Sequence, residues 1–273
     1  MKLFNLEGKK VKEVKLPRQF SEPYHPNLIK RAVWTIQSNK RQPYGAKPRA
    51  GLRASSDISK RRKSYRSVYG KGISRIPRKV TWRRGTQFGY IAATAPGTRG
   101  GRKAHPPKAE KDFSKKINIK ERRKAIRSAL AATFNIELIK KRNHQIPKEF
   151  PFIIDNKIES LEKTREVKTL LKTLGFGKEL ERCEKKKVRA GKGKNRGRKY
   201  KKKVGPLIIV SKKCKLAKAA INIPGVEIVD IKNVNTELLA PGIHAGRLTL
   251  YTEESIEKLE KDKLFTKWKT HTK

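Results

Sequence analysis

Apolar residues recur at helical spacing in two long stretches of the chain. From Pro26, the sequence HPNLIKRAVWTIQSNK has five apolar residues on one helical face, namely Leu28, Ile29, Ala32, Val33 and Ile36. Proline suits the first turn of a helix, because its missing N–H would have no partner there. This pattern predicts a helix that begins at Pro26.

The second stretch, INIKERRKAIRSALAATFNIELIKKRNH, repeats apolar residues every four positions, at Ile126, Leu130, Phe134 and Leu138. Its basic residues gather at both ends, and Asn143 is suited to close a helix in the left-handed conformation. The spacing predicts one long amphipathic helix over about residues 119–142.

Short apolar runs alternate with helical segments in the rest of the chain. We predict strands at 151–155, 206–211, 226–231 and 247–251. Helices are predicted in TREVKTLLKTLG, LAKAAI and TEESIEKLEKDK, with Thr164 and Thr252 as N-caps and Gly175 at the end of the first. Strands joined through helices indicate a mostly parallel sheet covered on both faces. The predicted fold class is α/β, a three-layer α/β/α domain.

Positive charge is concentrated in two segments. The 273 residues include 71 Lys and Arg against 24 Asp and Glu, a formal net charge of +47. Residues 41–111 hold 20 basic and 2 acidic residues, and residues 185–203 hold 12 basic residues and no acid. A compact body with this charge needs a polyanion to neutralise it, so nucleic acid is the first candidate partner.

The uneven charge also indicates how the chain is divided. We expect a globular α/β body formed by residues 1–40 and 112–263. Residues 41–111 are expected to form a long extended basic loop, residues 186–203 a shorter basic insertion and residues 264–273 a basic C-terminal tail. Because the two basic segments have too few apolar residues to offset the entropy of ordering, we expect them to stay mobile until they bind RNA.

A membrane surface is the rival polyanion. The sequence has no run of about 18 apolar residues, and the start MKLFNLEGKKV lacks the apolar core of a signal peptide. Cys183 and Cys214 lie in Lys-rich sequence, far apart along the chain, and form neither a disulfide framework nor a paired metal-ligand set. We therefore expect a cytoplasmic protein with no membrane partner.

Aromatic residues are interleaved with the cations of the 41–111 segment, at Tyr44, Tyr65, Tyr69, Trp82, Phe88 and Tyr90. Cations can meet phosphates while aromatic faces stack on unpaired bases, and glycines let a backbone approach RNA closely. The alternative is a solvated, disordered linker, although such linkers rarely carry so many aromatic residues.

The residues predicted to bind RNA in the two basic segments share positive charge or an aromatic ring. They are Arg41, Tyr44, Arg49, Arg53, Arg61, Arg62, Lys63, Arg66, Lys71, Arg75, Arg78, Lys79, Trp82, Arg83, Arg84, Arg99, Arg102, Lys103, His105, Lys108, Arg189, Lys192, Lys194, Arg196, Arg198, Lys199, Lys201, Lys202 and Lys203.

The glycine-rich stretch RAGKGKNRGRKYKKK at 189–203 raises the question of a nucleotide-binding loop. A Walker loop ends in Gly-Lys-Ser/Thr, and a dinucleotide fingerprint reads G-x-G-x-x-G between a strand and a helix. Gly191, Gly193 and Gly197 fit neither spacing. The five histidines are scattered, and no G-x-S-x-G elbow occurs. We therefore predict no cofactor, no metal, no small-molecule substrate and no enzymatic activity.

Several long stretches resemble a known family. They are RQPYGAKPRAG at 41–51, GKGISRIPR at 70–78, GTRGGRKAHPPKAEK at 97–111, AIRSALAATFNIELIKKRNH at 125–144, VRAGKGKNRGRKYKKKVGPLIIV at 188–210 and LAPGIHAGRLTLYTEESIEKL near the end. Together they resemble the universal L-four family of large ribosomal subunit proteins, over about residues 2–263. The sequence GGRKAHPP resembles the archaeal type of this family rather than the bacterial or eukaryotic types.

The resemblance implies an α/β body on the outer surface of the ribosome and a long loop that threads through large-subunit RNA. In this chain the loop would be residues 41–111, with its tip around Arg61 to Arg84, near the narrow part of the nascent-peptide exit tunnel. The implied partners are large-subunit ribosomal RNA, neighbouring ribosomal proteins and the nascent peptide. The implied function is that of a structural constituent that supports subunit assembly and translation.

Two other functions fit the bare composition. A nucleic-acid-compacting or regulatory protein would bind DNA or messenger RNA with little preference. An RNA-processing enzyme on an α/β scaffold would need a convergent set of polar groups in a pocket, and the sequence shows none.

Overall fold

A computed structural model describes residues 1–266 of the chain. From residue 267 onward, the predicted basic tail lies outside the described residues. The strands are β1 (Lys2–Phe4), β2 (Lys10–Glu13), β3 (Arg78–Arg84), β4 (Gln87–Ala92), β5 (Phe152–Ile154), β6 (Lys187–Val188), β7 (Tyr200–Lys201), β8 (Leu207–Val210), β9 (Glu227–Asp230) and β10 (Thr249–Thr252). The helices are α1 (Pro26–Asn39), α2 (Ile119–Ala132), α3 (Ile136–Lys141), α4 (Thr164–Thr173), α5 (Gly177–Glu184), α6 (Lys215–Ala220), α7 (Thr236–Leu239) and α8 (Glu253–Lys261).

Two compact units make up the chain. The first consists of Met1–Asn39 together with the chain from Lys115 onward, and the second is Lys40–Ser114. Most of the regular structure belongs to the first unit, and the second contains the hairpin of β3 and β4.

A six-stranded sheet with the order β2-β1-β5-β10-β8-β9 forms the centre of the first unit. Every neighbouring pair is parallel except β1 with β2, which is antiparallel. The strands β5 and β8 read FII and LIIV and are buried at every position. Such continuous apolar runs are typical of parallel strands that are covered on both faces.

Alternate residues of β8 pack into two separate cores. Ile208 and Val210 contact the core that contains the apolar faces of α4 and α6. Leu207 and Ile209 contact the core on the other face, which contains α1, α2 and α8. Because successive side chains of a strand point to opposite faces, these contacts define helix, sheet and helix layers. The predicted α/β class with a mostly parallel sheet is confirmed.

The prediction of one helix over 119–142 is wrong, because the segment divides into α2 and α3. At the break, the Thr133 hydroxyl donates to Leu130 O at 2.7 Å and lies 3.0 Å from Tyr251 Oη. The Asn135 side chain then caps α3 by accepting from two of its amides. Polar residues that bond locally in this way favour caps over helix interiors. Asn143, at φ +59°, follows the end of α3 in the left-handed region, as expected.

The prediction of Thr164 as an N-cap is wrong, and Thr252 occupies the predicted N-cap position of α8 without making a capping bond. Thr164 is the first residue of α4, and its hydroxyl donates to Ala219 O at 2.7 Å. Thr252 precedes α8, but its hydroxyl donates to Glu159 Oε1 at 2.9 Å. Each hydroxyl therefore joins two elements of the fold instead of capping its own helix. Gly175 follows the end of α4 at φ +85°, as predicted.

Strands β1 and β2, helix α7 and the β3–β4 hairpin were not predicted. The hairpin has an antiparallel register that pairs Arg78 with Ala92 and Arg84 with Gln87, and Gly85 begins its turn at φ +58°. Val68 and Ala93 are the buried hydrophobic residues of the Lys40–Ser114 unit among the described residues. This unit therefore folds around a very small apolar core.

Candidate nucleic-acid interface

Arginine and lysine side chains pack against aromatic rings throughout the Lys40–Ser114 unit. Arg62 and Arg75 lie 4.9 and 4.7 Å from the centroid of the Tyr69 ring. Arg66 and Arg83 contact the Tyr65 ring at 5.1 and 5.8 Å. Each such contact contributes about 0.5–1 kcal/mol at an exposed site. Cations thus stabilise a segment that has few acids to pair with.

Arginine side chains also bond backbone carbonyls in this unit. Arg78 Nη2 donates to Ser74 O at 2.9 Å, and Arg83 Nε donates to Gly85 O at 3.1 Å. The Tyr90 hydroxyl is 3.1 Å from both Asp57 O and Arg66 O, so its single proton can be donated to either carbonyl. The bonds of Tyr90, a residue of β4, tie the irregular chain before residue 70 to the hairpin. Guanidinium groups held in this way keep further N–H donors for an anion.

Trp82 presents an aromatic face on the hairpin. It pairs across the two strands with Gly89, and a Cβ at Gly89 would lie only 2.2 Å from Trp82 Nε1. The indole therefore lies directly against the Gly89 backbone while 55% of the residue stays exposed. A ring supported on one side and open on the other is suited to stack on an unpaired base.

Two runs of this unit lie side by side with their backbones in close approach. A Cβ at Gly45 would lie 2.6 Å from Ala109 N, and one at Gly51 would lie 2.5 Å from Arg102 N. Ala46 N donates to Pro107 O at 3.1 Å between the same two runs. Only glycine leaves room for this approach, so these two positions determine how closely the cations of both runs can gather.

Aromatic packing continues beside these runs. Tyr44 stacks on Phe113 with centroids 5.8 Å apart, and Arg41 lies 4.2 Å from the Phe113 centroid. A cavity of about 890 Å³ opens beside Tyr44 and includes Lys103 and His105 in its lining. The arrangement combines exposed cations with an aromatic wall.

The stretch at 189–203 forms a short hairpin. Strands β6 and β7 pair Lys187 with Lys201 and Val188 with Tyr200. The chain between them turns through a 3-10 helix at Lys192–Arg196, with Gly191 and Gly197 at φ +77°. A nucleotide fingerprint requires its glycines between a strand and a helix, whereas these glycines join two strands. The structure therefore agrees with the spacing in excluding a dinucleotide cradle.

A buried polar cluster holds the base of this hairpin. Arg182 Nη2 donates to Val204 O at 2.7 Å and to Glu179 Oε1 at 2.7 Å. Burial lowers the pKa of His144, so its neutral ring donates from Nδ1 to Glu179 at 2.6 Å. Burial alone would raise the pKa of the Glu179 carboxyl, but hydrogen bonds from Arg182, His144 and the Gln145 amide lower it to about 2. Glu179 is therefore ionised at neutral pH.

Arg247 adds a second tie at the same base. Its side chain is 1% exposed, and its Nε donates to Gly205 O at 2.9 Å. Its Nη1 donates to Glu227 at 2.7 Å and to Leu238 O at 3.0 Å. No pattern in the sequence indicated this role, because Arg247 lies 42 residues from Gly205 along the chain. Within the Glu179 cluster, only the three-residue spacing of Glu179 and Arg182 was visible.

The predicted RNA-binding residues lie at the surface of their own units. All are exposed except Arg66, Arg78 and Arg189, which are half-buried. Arg66 and Arg83 meet at Tyr65, and Arg62 and Arg75 meet at Tyr69. Arg189 Nε bonds Arg198 O at 3.1 Å in the shorter hairpin. Their part in RNA binding stays a prediction.

Two other kinds of site are absent from residues 1–266. Within that range, no group of three or more His, Cys, Asp and Glu side chains is placed to hold a metal ion. No helix in the same range is long and apolar enough to cross a membrane. Burial raises the pKa of the Cys183 thiol to about 11, which keeps it protonated and unreactive at neutral pH.

These features define a basic α/β protein with an inserted cationic unit and a second cationic hairpin. The chain matches the Ribosomal protein L4/L1 family over residues 14–262. It is 50% identical over 264 residues to the "Large ribosomal subunit protein uL4" of Nanoarchaeum equitans, a match that covers 96% of this chain and 98% of that protein. The chain belongs to the ribosomal protein L4/L1 family.

Two further relatives of the same name also come from archaea. The protein of Archaeoglobus fulgidus is 43% identical, over 94% of this chain and 97% of its own length. The protein of Methanococcoides burtonii is 44% identical, over 94% of this chain and 96% of its own length. The resemblance to the archaeal type is confirmed. The family is structural and non-enzymatic, which also confirms the prediction that the chain is not an enzyme.

Proposed function

We propose that the protein is a structural constituent of the archaeal large ribosomal subunit, located in the cytoplasm as part of the ribosome. Its relatives of known name support this role, because they are similar to the chain over nearly their full length. The binding partners are large-subunit ribosomal RNA and neighbouring ribosomal proteins. Through these contacts the protein supports subunit assembly and translation.

The proposal that the protein binds RNA rests mainly on the cation–aromatic contacts of the Lys40–Ser114 unit. Residues 41–111 contain 20 basic residues and only Asp57 and Glu110 as acids. Lysines and arginines that neutralise phosphates release counterions, which supplies affinity. Trp82, backed by Gly89, adds a stacking surface for an unpaired base. Specificity then comes from the shape of the RNA.

We assign a different role in the ribosome to each predicted segment. In this proposal residues 1–40 and 112–263 form the body, residues 41–111 are an extended loop that penetrates RNA, and residues 186–203 are a second, shorter RNA-binding insertion. The loop tip, around Arg61 to Arg84, lies near the exit tunnel and the nascent peptide. Exposed cations and Trp82 in this range support the assignment.

Sucrose-gradient fractionation in high salt tests the proposed function. We expect the full-length chain to sediment with the large subunit at one copy per subunit, because many simultaneous phosphate contacts and a folded RNA surface hold it there. Release into the top fractions, with equal affinity for duplex DNA and unrelated RNA, would indicate a general nucleic-acid-binding protein. Activity on RNA without stable association would indicate a processing enzyme.

The close approach at Gly51 gives a sharper test of the Lys40–Ser114 unit. Gly51→Ala places a methyl group 2.5 Å from the Arg102 backbone at a φ of +78°, which neither run can relieve by moving a side chain. We expect its affinity for large-subunit RNA to fall about tenfold, because the cations of the two runs are pushed apart. Filter binding to the RNA measures this.

Gly70→Ala is the matched control. Gly70 has a similar φ of +75° but nothing within 4 Å of an added Cβ, so this variant carries the backbone strain without the clash. Its affinity should stay within about twofold of the wild type. Equal losses in the two variants would show that the approach of the runs does not matter for RNA binding.

A further inference from the structure

A groove beside the last strand of the six-stranded sheet lies at the base of the shorter basic hairpin, and Lys202 and Lys203, which are also predicted to bind RNA, line part of it. It has a volume of about 1030 Å³, and its aliphatic lining includes Ala217, Ala220, Ile221, Ile223, Ile228 and Leu238. Ile221 is 82% exposed. Ala217, Ile228 and Leu238 are half-buried, whereas Ala220 and Ile223 are buried beneath the floor of the groove. Partly exposed aliphatic residues gathered in one groove indicate a binding surface, unlike the same residues scattered singly.

The strand next to this groove has a free edge. β9 ends the strand order and pairs only with β8 among the described strands. Glu227 N donates to Pro206 O at 3.2 Å, on the β8 side. Because backbone groups alternate sides along a strand, the amide and carbonyl of Ile228 point away from β8. A strand bonded on one side only can pair with an added strand.

The charges around the groove are mostly positive. Lys186, Lys202 and Lys203 line it, together with the acids Glu184 and Glu227. Glu227 is neutralised by Arg247 at 2.7 Å. Three lysines therefore face one unbalanced carboxylate, which favours an acidic ligand.

The chemistry of the lining favours a peptide over RNA. The lining contains no Phe, Tyr, Trp or His on which a base could stack. RNA also has no main-chain amides to pair with the free edge at Ile228, whereas an extended peptide has one at every residue. An aliphatic floor under a sheet edge holds alternate apolar side chains of an added strand.

We propose that this groove binds an extended protein segment in which apolar residues alternate with acidic ones, added as a strand along β9. Its apolar residues lie against Ile221 and Ile228, and its acids lie near Lys186 and Lys203. That the segment belongs to a neighbouring large-subunit protein rests on the proposed function. The groove, the free edge and the lysines are independent of that assignment.

Photo-crosslinking in reconstituted large subunits tests this site. A benzoylphenylalanine replaces Asn222, an exposed residue of the groove, in the otherwise complete chain. We expect crosslinks to one ribosomal protein, at a segment with alternating apolar and acidic residues. Adding Ile221→Glu should lower the crosslink yield about tenfold, because a like charge then meets the acidic segment.

Val11→Glu is the matched control. Val11 lies on β2, at the opposite edge of the same sheet, and is 59% exposed. This variant should leave the yield unchanged. Lys186→Glu gives a second test of the charge complementarity if Ile221→Glu impairs folding, and it should lower the yield as well.

Three results would overturn the inference. Subunits that contain the chain but crosslink from position 222 only to RNA, or to nothing, would show that no protein segment occupies the groove. A yield unaffected by either charge variant would show that the contact does not use the groove. Failure of the unsubstituted chain to enter subunits would overturn the proposed function and this partner together, which is distinguishable from the first two results.

Discussion

Replacing residues 188–203 by a short glycine–serine turn should lower the affinity for large-subunit RNA by about two to three orders of magnitude at moderate salt. The segment contains nine basic residues and no acid. If about half of them contact phosphates, the slope of log affinity against log salt should flatten by about 3–4, at roughly 0.7–0.9 per contact. Affinities measured at several salt concentrations give both quantities.

The α/β body should remain folded in this variant, because the segment contributes no residue to either core. Circular dichroism and thermal unfolding check this. The loss should also depend on where charge is removed. Gln in place of Arg196, Arg198 and Lys199 should weaken binding, whereas Gln at Lys168, Lys172 and Lys178, which are exposed on or beside α4 and α5, should not.

The second triple variant removes the same formal charge as the first. A difference between them therefore measures local contacts, and equal losses would mean that only the net charge of the chain matters. Unchanged affinity and salt slope after removal of 188–203 would take this hairpin out of the RNA interface.

The centre of the sheet could be predicted from the sequence because β5 and β8 are apolar at every position. A run such as LIIV in β8 is stable only when helices cover both faces of the sheet. The helices that connect the strands each have one apolar face, which packs against the sheet. The pattern therefore specified the layers without any information about contacts distant in sequence. Strand β1 was missed because its three residues, KLF, include only two apolar ones, whereas all three residues of β5 are apolar.

Elements whose ends depend on tertiary partners could not be predicted. Helix α2 ends where the Thr133 hydroxyl meets Tyr251, a residue 118 positions away. The hydroxyls of Thr164 and Thr252 bond other elements of the fold. The β3–β4 hairpin also lacked a clear signal, because β3 is almost wholly exposed and its alternation rests on only two apolar residues, Val80 and Trp82.

The candidate interface divides in the same way. Charge and aromatic content along the sequence indicated which segments face a polyanion. The contacts that hold these segments in place could not be predicted from the sequence. At the base of the shorter hairpin, Arg182 and Arg247 bond backbone carbonyls and distant carboxylates, which the sequence does not reveal. Likewise, the pairing of arginines with Tyr65 and Tyr69 requires the folded chain.

Glu179→Gln should destabilise the body by about 3 kcal/mol at neutral pH, because it leaves Arg182 without its buried counter-charge. The folded-state pKa of the Glu179 carboxyl is about 2, below its ordinary value of 4.5. A carboxylate with a lowered pKa stabilises the fold above its unfolded pKa, and this contribution is lost as pH falls through the folded value. The difference in unfolding free energy between wild type and variant should therefore be constant above pH about 5 and shrink toward pH 2.

Urea unfolding of the RNA-free protein at a series of pH values measures this difference. Other carboxylates titrate equally in both proteins, so the comparison isolates Glu179. Glu162→Gln is the matched control. The pKa of Glu162 is also lowered, in this case by Lys215, but both side chains are exposed. The unfolding midpoint of this variant should therefore equal that of the wild type. A Glu179→Gln effect that is small, or independent of pH between 5 and 2, would show that the cluster does not hold the hairpin base through an ionised carboxylate.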